Sequence, residues 1–238
     1  MKVLLLGASG ATGRLVVQQL LNRNIRVKIV VRKIEKVAID FLNNKLLECI
    51  VGNITEFDKD KNMKLINDCD AVVSCLGHNI SFKGLFGKPR LLVKTSIRNI
   101  CEAIEEMKNN KVKLILMNTT ANCNKKANEK YSFADRMVLS LLNILLPPQK
   151  DNVRAALYLS NNIEENNSLL EWTVIRPDTL LNEEKESEYE ISESPKRSPV
   201  FNAGKTSRVN VSRFIVELLL NEELWAKWKF KMPVIYNK

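Results

Sequence analysis

The residues best suited to chemistry lie near the start of the chain: Gly7-Ala8-Ser9-Gly10-Ala11-Thr12-Gly13. They follow an apolar run, Val3–Leu6, and open a segment with helical apolar spacing at Val16, Val17, Leu20 and Leu21. Each glycine has its own physical use. Gly7 permits a tight strand-to-helix turn. Gly10 lets the backbone approach a diphosphate that a Cβ would strike. Gly13 lets the helix pack closely on the sheet. The helix start, which includes Ser9, Ala11 and Thr12, offers unpaired N–H groups and the positive end of the helix dipole. The chemistry expected is the binding of a dinucleotide through its diphosphate.

The end of the next apolar strand, Val27–Val31, bears on which dinucleotide. An Asp or Glu there would bond a ribose 2′-OH. Arg32 and Lys33 stand there instead, and the first carboxylate is Glu35. A guanidinium grips a 2′-phosphate through charge-assisted bonds, each worth roughly 1.5–3 kcal/mol. The expected cofactor is NADP, as NADPH, with NAD less suited.

These residues need strands and helices to hold them. Strands are expected at Val3–Leu6, Val27–Val31, Leu46–Val51, Ala71–Leu76, Val112–Met117, Trp172–Arg176 and Pro233–Tyr236. Helices are expected at Gly13–Asn22, Lys61–Asp68, Leu91–Lys108, Tyr131–Leu146, Asp151–Asn162 and Val211–Asn221. Pro147 and Pro148 stop the fourth of these, and Asp151 or Asn152 caps the fifth. The charged stretch Asn182–Pro199 reads as a long mobile loop. Apolar strands alternating with helices mean a parallel sheet covered on both faces. The fold class is therefore α/β, a doubly wound parallel sheet. It forms one domain, 1–238, with a small C-terminal substrate-side lobe from about 131–150 and 178–206.

Composition narrows the class. Among 238 residues, 45% are hydrophobic and 27% charged, enough for a sizeable core, which excludes a disordered chain. The 37 basic residues against 27 acidic give a net charge of +10, which suits an anionic partner. No block of five like charges occurs, so no nucleic-acid partner is expected. The apolar run Met137–Leu146 is shorter than the ~20 residues of a span and holds Ser140 and Asn143, so no membrane partner is expected either. Burial in the core is its ordinary reading; a pocket cover or dimer face are the others. Five unpaired cysteines and a short N-terminal apolar run suit a cytoplasmic protein. No His, Cys, Asp or Glu group has metal-ligand spacing. The expected partner is a small-molecule substrate, and the assembly a monomer or homodimer.

The G-x-x-G-x-x-G spacing resembles the extended and atypical branches of the short-chain dehydrogenase/reductase superfamily, which have the Rossmann fold. Further matching pieces are Val30-Val31-Arg32, Gly52-Asn53-Ile54, Ser74-Cys75-Leu76-Gly77, Arg98-Asn99-Ile100, Trp172-Thr173-Val174-Ile175-Arg176-Pro177 and Ser207-Arg208-Val209-Asn210-Val211. The resemblance implies that Asn53 faces the adenine, where the family usually has Asp. It implies that Leu76, Gly77 and His78 line the ribose and nicotinamide, and that Thr119 of Asn118-Thr119-Thr120 keeps the hydroxyl after the fifth strand.

The family's Tyr-x-x-x-Lys pair is missing. Tyr131, Tyr158 and Tyr189 are followed four residues later by Asp135, Asn162 and Glu193. The resemblance puts the lost positions near Asn152 and Ala156. Without a positioned acid, an acceptor that takes hydride directly is favoured. Flavin-, quinone- and pyrrole-like molecules do so, and the chain is similar here to the biliverdin/flavin-reductase type. His78, the only histidine, and Tyr158 are the acid candidates beside Thr119; a hydrogen-bonded loop histidine and a helix-packing tyrosine are their plainer readings. Asp178 could face substrate. The leading expectation is an NADPH-dependent oxidoreductase. The alternatives are a non-enzymatic NADP(H)-binding redox sensor and a nucleotide-sugar epimerase- or dehydratase-like enzyme.

Overall fold

The computed structural model describes residues 1–78, 87, 89–108 and 110–238. The first half runs β1 (Lys2–Leu6), α1 (Ala11–Asn22), β2 (Arg26–Val31), α2 (Ile39–Leu42), β3 (Leu47–Val51), α3 (Lys59–Ile66), β4 (Ala71–Ser74), α4 (Leu92–Met107) and β5 (Val112–Met117). The second runs α5 (Phe133–Leu145), α6 (Pro147–Asn162), β6 (Leu170–Pro177), β7 (Thr179–Leu181), β8 (Tyr189–Ser192), β9 (Lys205–Ser207), α7 (Arg208–Leu220), α8 (Glu222–Trp228) and β10 (Val234–Asn237).

Eight strands form one sheet in the order β3-β2-β1-β4-β5-β6-β10-β8, while β7 and β9 make a separate parallel pair. Among the described residues of the large sheet only β8 runs antiparallel, against β10. Period-2 alternation explains why β1 is apolar at every step. Val3 and Leu5 face a core layer that includes Val16, Leu20, Phe214 and Leu218, from α1 and α7. Leu4 and Leu6 face the opposite layer, with Ile97 and Ile100 of α4 and Ala155 and Leu159 of α6. Trp225 and Trp228 are buried in the first layer. The five cysteines are free, with Cys69, Cys75 and Cys101 buried. Burial pushes the Cys75 thiol up to about 12, so it is inert at neutral pH.

Three expectations need correction. Asn182–Pro199 is not all loop, because Tyr189–Ser192 within it forms β8 on the sheet edge. Edge strands tolerate charge, so the composition concealed it. Pro147 and Pro148 do follow the end of α5, but they also open α6, where a missing N–H costs nothing. Asp151 therefore lies inside α6 and caps a different helix, described below. Finally, the Met137–Leu146 segment is not a core helix. Met137, Leu141, Ile144 and Leu145 are all exposed.

One buried carboxylate links the sheet to the C-terminal helices. Glu171 of β6 accepts hydrogen bonds from Trp225 Nε1 at 2.6 Å, Lys229 at 2.8 Å and Lys111 at 3.2 Å. Burial opposes its charge, but these donors outweigh that and hold the carboxyl down at about 2. A depressed folded value means stability that is present above the ordinary glutamate range and is lost as pH falls toward 2. We expect wild type to exceed Glu171→Gln in urea stability at pH 6. The gap should close between about pH 4.5 and pH 2. A gap unchanged down to pH 2 would show that the charge is immaterial.

Candidate cofactor and substrate site

The loop between β1 and α1 is set by two glycines. Gly7 has φ +83°, in the left-handed region, and a Cβ there would lie 2.5 Å from the Cys75 carbonyl oxygen. A Cβ on Gly13 would lie 2.2 Å from the Gly7 carbonyl oxygen. Gly13 thus packs on the loop itself rather than on the sheet. Gly10 caps α1 without any side-chain acceptor, and no acid occupies the first turn. The amides at the start of α1 therefore face outward with no competing anion from their own helix.

A cleft opens beyond the carboxyl ends of β1 to β4. It is lined by Gly7, Ser9 and Gly10 of the loop, Val30 and Val31 at the end of β2 with Arg32 just beyond, Gly52-Asn53-Ile54 after β3, and Cys75-Leu76-Gly77 after β4, with Leu92 at the start of α4. β1 pairs with β2 on one side and β4 on the other, so the chain changes winding direction here, where open α/β sheets bind ligands. Ala11, Thr12 and Gly13, at the start of α1, do not line the cleft themselves. Ala11 is exposed at the helix start and Thr12 is buried. Lys36 also lines the cleft, and sequence reading missed it. A short 3-10 turn, Ile34–Lys36, folds the chain back and brings it beside Arg32. Arg32 and Lys36 are both exposed, and Glu35 is not part of the lining.

Asn53 reaches the cleft, but its side chain is engaged in its own turn. Its amide donates to Glu56 at 2.8 Å, and its oxygen accepts from the Thr55 hydroxyl at 3.0 Å.

His78 follows Gly77 at the end of β4 and is held by Asp151. Nε2 lies 2.8 Å from the Asp151 carboxylate, and both side chains are buried. Asp151 also accepts from the amides of Val93 at 2.8 Å and Lys94 at 2.9 Å. The residue before α4, Leu91, offers no side-chain cap, so Asp151 supplies one from α6. We expect Asp151→Ala to cost about 2 kcal/mol, since it strands two amides and an imidazole nitrogen. Urea unfolding measures this, and a cost below about 0.5 kcal/mol would contradict the capping role.

Thr119 sits after β5, half-buried, with its hydroxyl accepting from the Ala121 amide at 3.2 Å. The Asn118 amide donates to the Asn152 carbonyl at 2.8 Å, so the lost tyrosine position contributes backbone here. Ala156, at the lost lysine position, is fully buried in the core. Tyr158 packs against that same core layer, beside Cys101 and Glu102 of α4. The structure therefore does not bring it to the strand ends with His78 and Thr119. Burial also drives its phenol well above the ordinary range, which disfavours charge there.

Asp178 lies just after β6, beyond its carboxyl end. Its carboxylate accepts from the Gly204 amide at 2.9 Å and from the Thr120 hydroxyl. Burial raises it above the usual aspartate range despite these donors. Beneath it, Arg176 is fully buried and forms a two-pronged bond with Glu129, at 2.8 and 2.6 Å. The same guanidinium donates to the carbonyls of Asn122, Met232 and Glu193. Among the described residues no cluster of metal ligands occurs.

The glycine loop, the strand order and the cleft at the switch point define a dinucleotide-binding protein of the Rossmann type. The chain belongs to the NAD(P)H-binding family, whose model matches residues 7–222. In fold it is similar to a wide-type short-chain dehydrogenase/reductase from Veillonella parvula solved in complex with NADP. That likeness has TM-score 0.70 and 14% identity, covering 99% of this chain and 94% of that one. It is also similar to ChuY, an anaerobillin reductase from Escherichia coli, with TM-score 0.67 and 15% identity, covering 100% of this chain and 97% of that one. An uncharacterized chloroplastic protein of Arabidopsis thaliana is 38% identical over 74 residues, or 31% of this chain. That match spans about a quarter, 26%, of the relative's length. No described helix is long and apolar enough to cross a membrane.

Proposed function

We propose that the protein is an NADPH-dependent oxidoreductase that passes hydride directly to a flat, conjugated acceptor of the flavin, quinone or pyrrole class. The observation that carries this reading is the pairing of a cleft bearing Arg32 and Lys36 with a lost proton-donor pair. Two cations beside a diphosphate loop suit the extra phosphate of NADPH. Asn152 and Ala156 stand where the Tyr-Lys pair would be, so reduction of a simple ketone lacks its usual acid. When bound, the coenzyme supplies the hydride. The chain's part is to hold the diphosphate on the α1 amides and to fix the acceptor over the ends of β4 to β6. There Thr119 and the His78–Asp151 pair can orient it. Asp178, whose carboxyl burial raises above the usual aspartate range, lies beyond them after β6. The anaerobillin reductase among the similar folds accords with a pyrrole-type acceptor.

The test is NADPH oxidation by the purified protein against a panel of flavins, quinones and linear tetrapyrroles. Turnover with at least one acceptor, and a lower Kd for NADPH than for NADH, is the expected result. Thermal stabilisation by NADPH without any turnover would favour the redox-sensor reading. At a hundredfold excess over Kd that stabilisation amounts to about 2.7 kcal/mol. Calorimetry that detects neither coenzyme would overturn both.

A further inference from the structure

Helix α5 is oriented against the usual pattern. It buries Asp135 and Leu139 and turns its most apolar side outward. Phe133 is 73% exposed, Met137 61%, Leu141 53%, Ile144 77% and Leu145 56%. At about 100° per residue these five share one arc of roughly 120°. A contiguous apolar face of this kind on a soluble surface marks an interaction site.

The charge around that face has one sign. From Asn124 to Ala156 the basic residues are Lys125, Lys126, Lys130, Arg136, Lys150 and Arg154, and all six are exposed. The acids of the same stretch are withdrawn. Glu129 is bound to Arg176, Asp135 to Ser132 and Ser198, and Asp151 to His78 and α4. Arg136 lies on α5 itself, Lys130 and Lys150 flank it in sequence, and the segment presents no exposed carboxylate of its own beside the apolar stripe.

We propose that α5 and its basic rim form a docking surface for the face of an anionic lipid bilayer. An amphipathic helix lying in the interface plane sinks its apolar arc to the acyl boundary and leaves its cations at the phosphates. The shortness of the apolar run excludes a span but not this arrangement, and here the proposal departs from the sequence expectation of no membrane partner. A second copy of the chain fits less well, since a two-fold contact through α5 would bring Arg136 and its flanking lysines against their own copies with no acid of the segment to offset them.

Flotation of the full chain with vesicles tests this. The lipids are phosphatidylcholine alone, or phosphatidylcholine with about one-third phosphatidylglycerol. The expected result is binding to the anionic vesicles at least about tenfold stronger than to neutral ones, weakening as salt rises from about 0.1 to 1 M. A Met137→Glu/Ile144→Glu variant should lose binding by at least about tenfold. A Lys130→Gln/Arg136→Gln/Lys150→Gln variant should lose about a hundredfold, at roughly fivefold per cation. Both should keep wild-type NADPH affinity by calorimetry, since none of these residues lines the cofactor cleft. Absence of flotation, equal binding to neutral vesicles, or vesicle binding untouched by both variants overturns the proposal. So does a dimer in sedimentation velocity that Met137→Glu/Ile144→Glu dissociates, which would make a second copy the occupant.

Discussion

Arg32→Asp should raise the Kd for NADPH by about a hundredfold or more while leaving that for NADH within about threefold. The reason is local. Arg32 lies at the end of β2, in the cleft that also holds Gly7, Ser9 and Gly10. A bidentate guanidinium–phosphate contact is worth roughly 1.5–3 kcal/mol, and a carboxylate in its place adds repulsion. The same carboxylate could accept from a ribose 2′-OH, which offsets any loss for NADH. Lys36 gives the control. It is a point charge without a planar fork, so Lys36→Ala should cost NADPH only about three- to tenfold. Titration calorimetry with both coenzymes reads all four values. Equal losses for NADPH and NADH in Arg32→Asp would show that the guanidinium does not read the 2′-phosphate.

That prediction rests on the part of the molecule most legible in the sequence. β1, the glycine loop and α1 are written in local terms: a two-sided apolar run, three glycines, then helical spacing. Each property is decided within a few residues. What the sequence concealed depends on distant partners. Asp151 has the chemistry of a cap, and it is one, but for a helix start 58 residues away. Lys36 joins Arg32 only because a 3-10 turn follows β2. The apolar residues of α5 fit a core face by composition, and which side is buried is settled by where Asp135 and Leu139 dock. Tyr158 sits seven residues beyond Asp151, on nearly the same face of the same helix, and both side chains meet α4. Two turns, about 10 Å along the axis, separate them, so Tyr158 packs beside Cys101 while Asp151 caps the start of α4.

Glu129→Ala should destabilise the protein by about 3–5 kcal/mol, a large share of the roughly 5–15 kcal/mol typical of a domain. Glu129 and Arg176 are 1% and 0% exposed, so removing the carboxylate leaves a cation buried without its counter-charge. The loss also spreads. The guanidinium of Arg176 holds the segment after β5 through Asn122, the entry to β10 through Met232, and the end of β8 through Glu193. Glu129 itself accepts from the Asn124 amide at 2.7 Å. One ion pair thus ties together the strand ends and loops that carry Thr119, Thr120 and Asp178. The cofactor cleft is built from β1 to β4 and owes nothing to this pair. At temperatures where Glu129→Ala stays folded, NADPH binding should therefore persist while acceptor reduction falls. Glu129→Gln keeps the shape and one acceptor, so it should lie between Ala and wild type. Urea unfolding gives the stability order, and calorimetry beside an NADPH-oxidation assay separates the two halves of the site. A cost under about 1 kcal/mol for Glu129→Ala, the value of an ordinary exposed pair, would mean that solvent reaches Arg176 and that the pair does not organise the lobe.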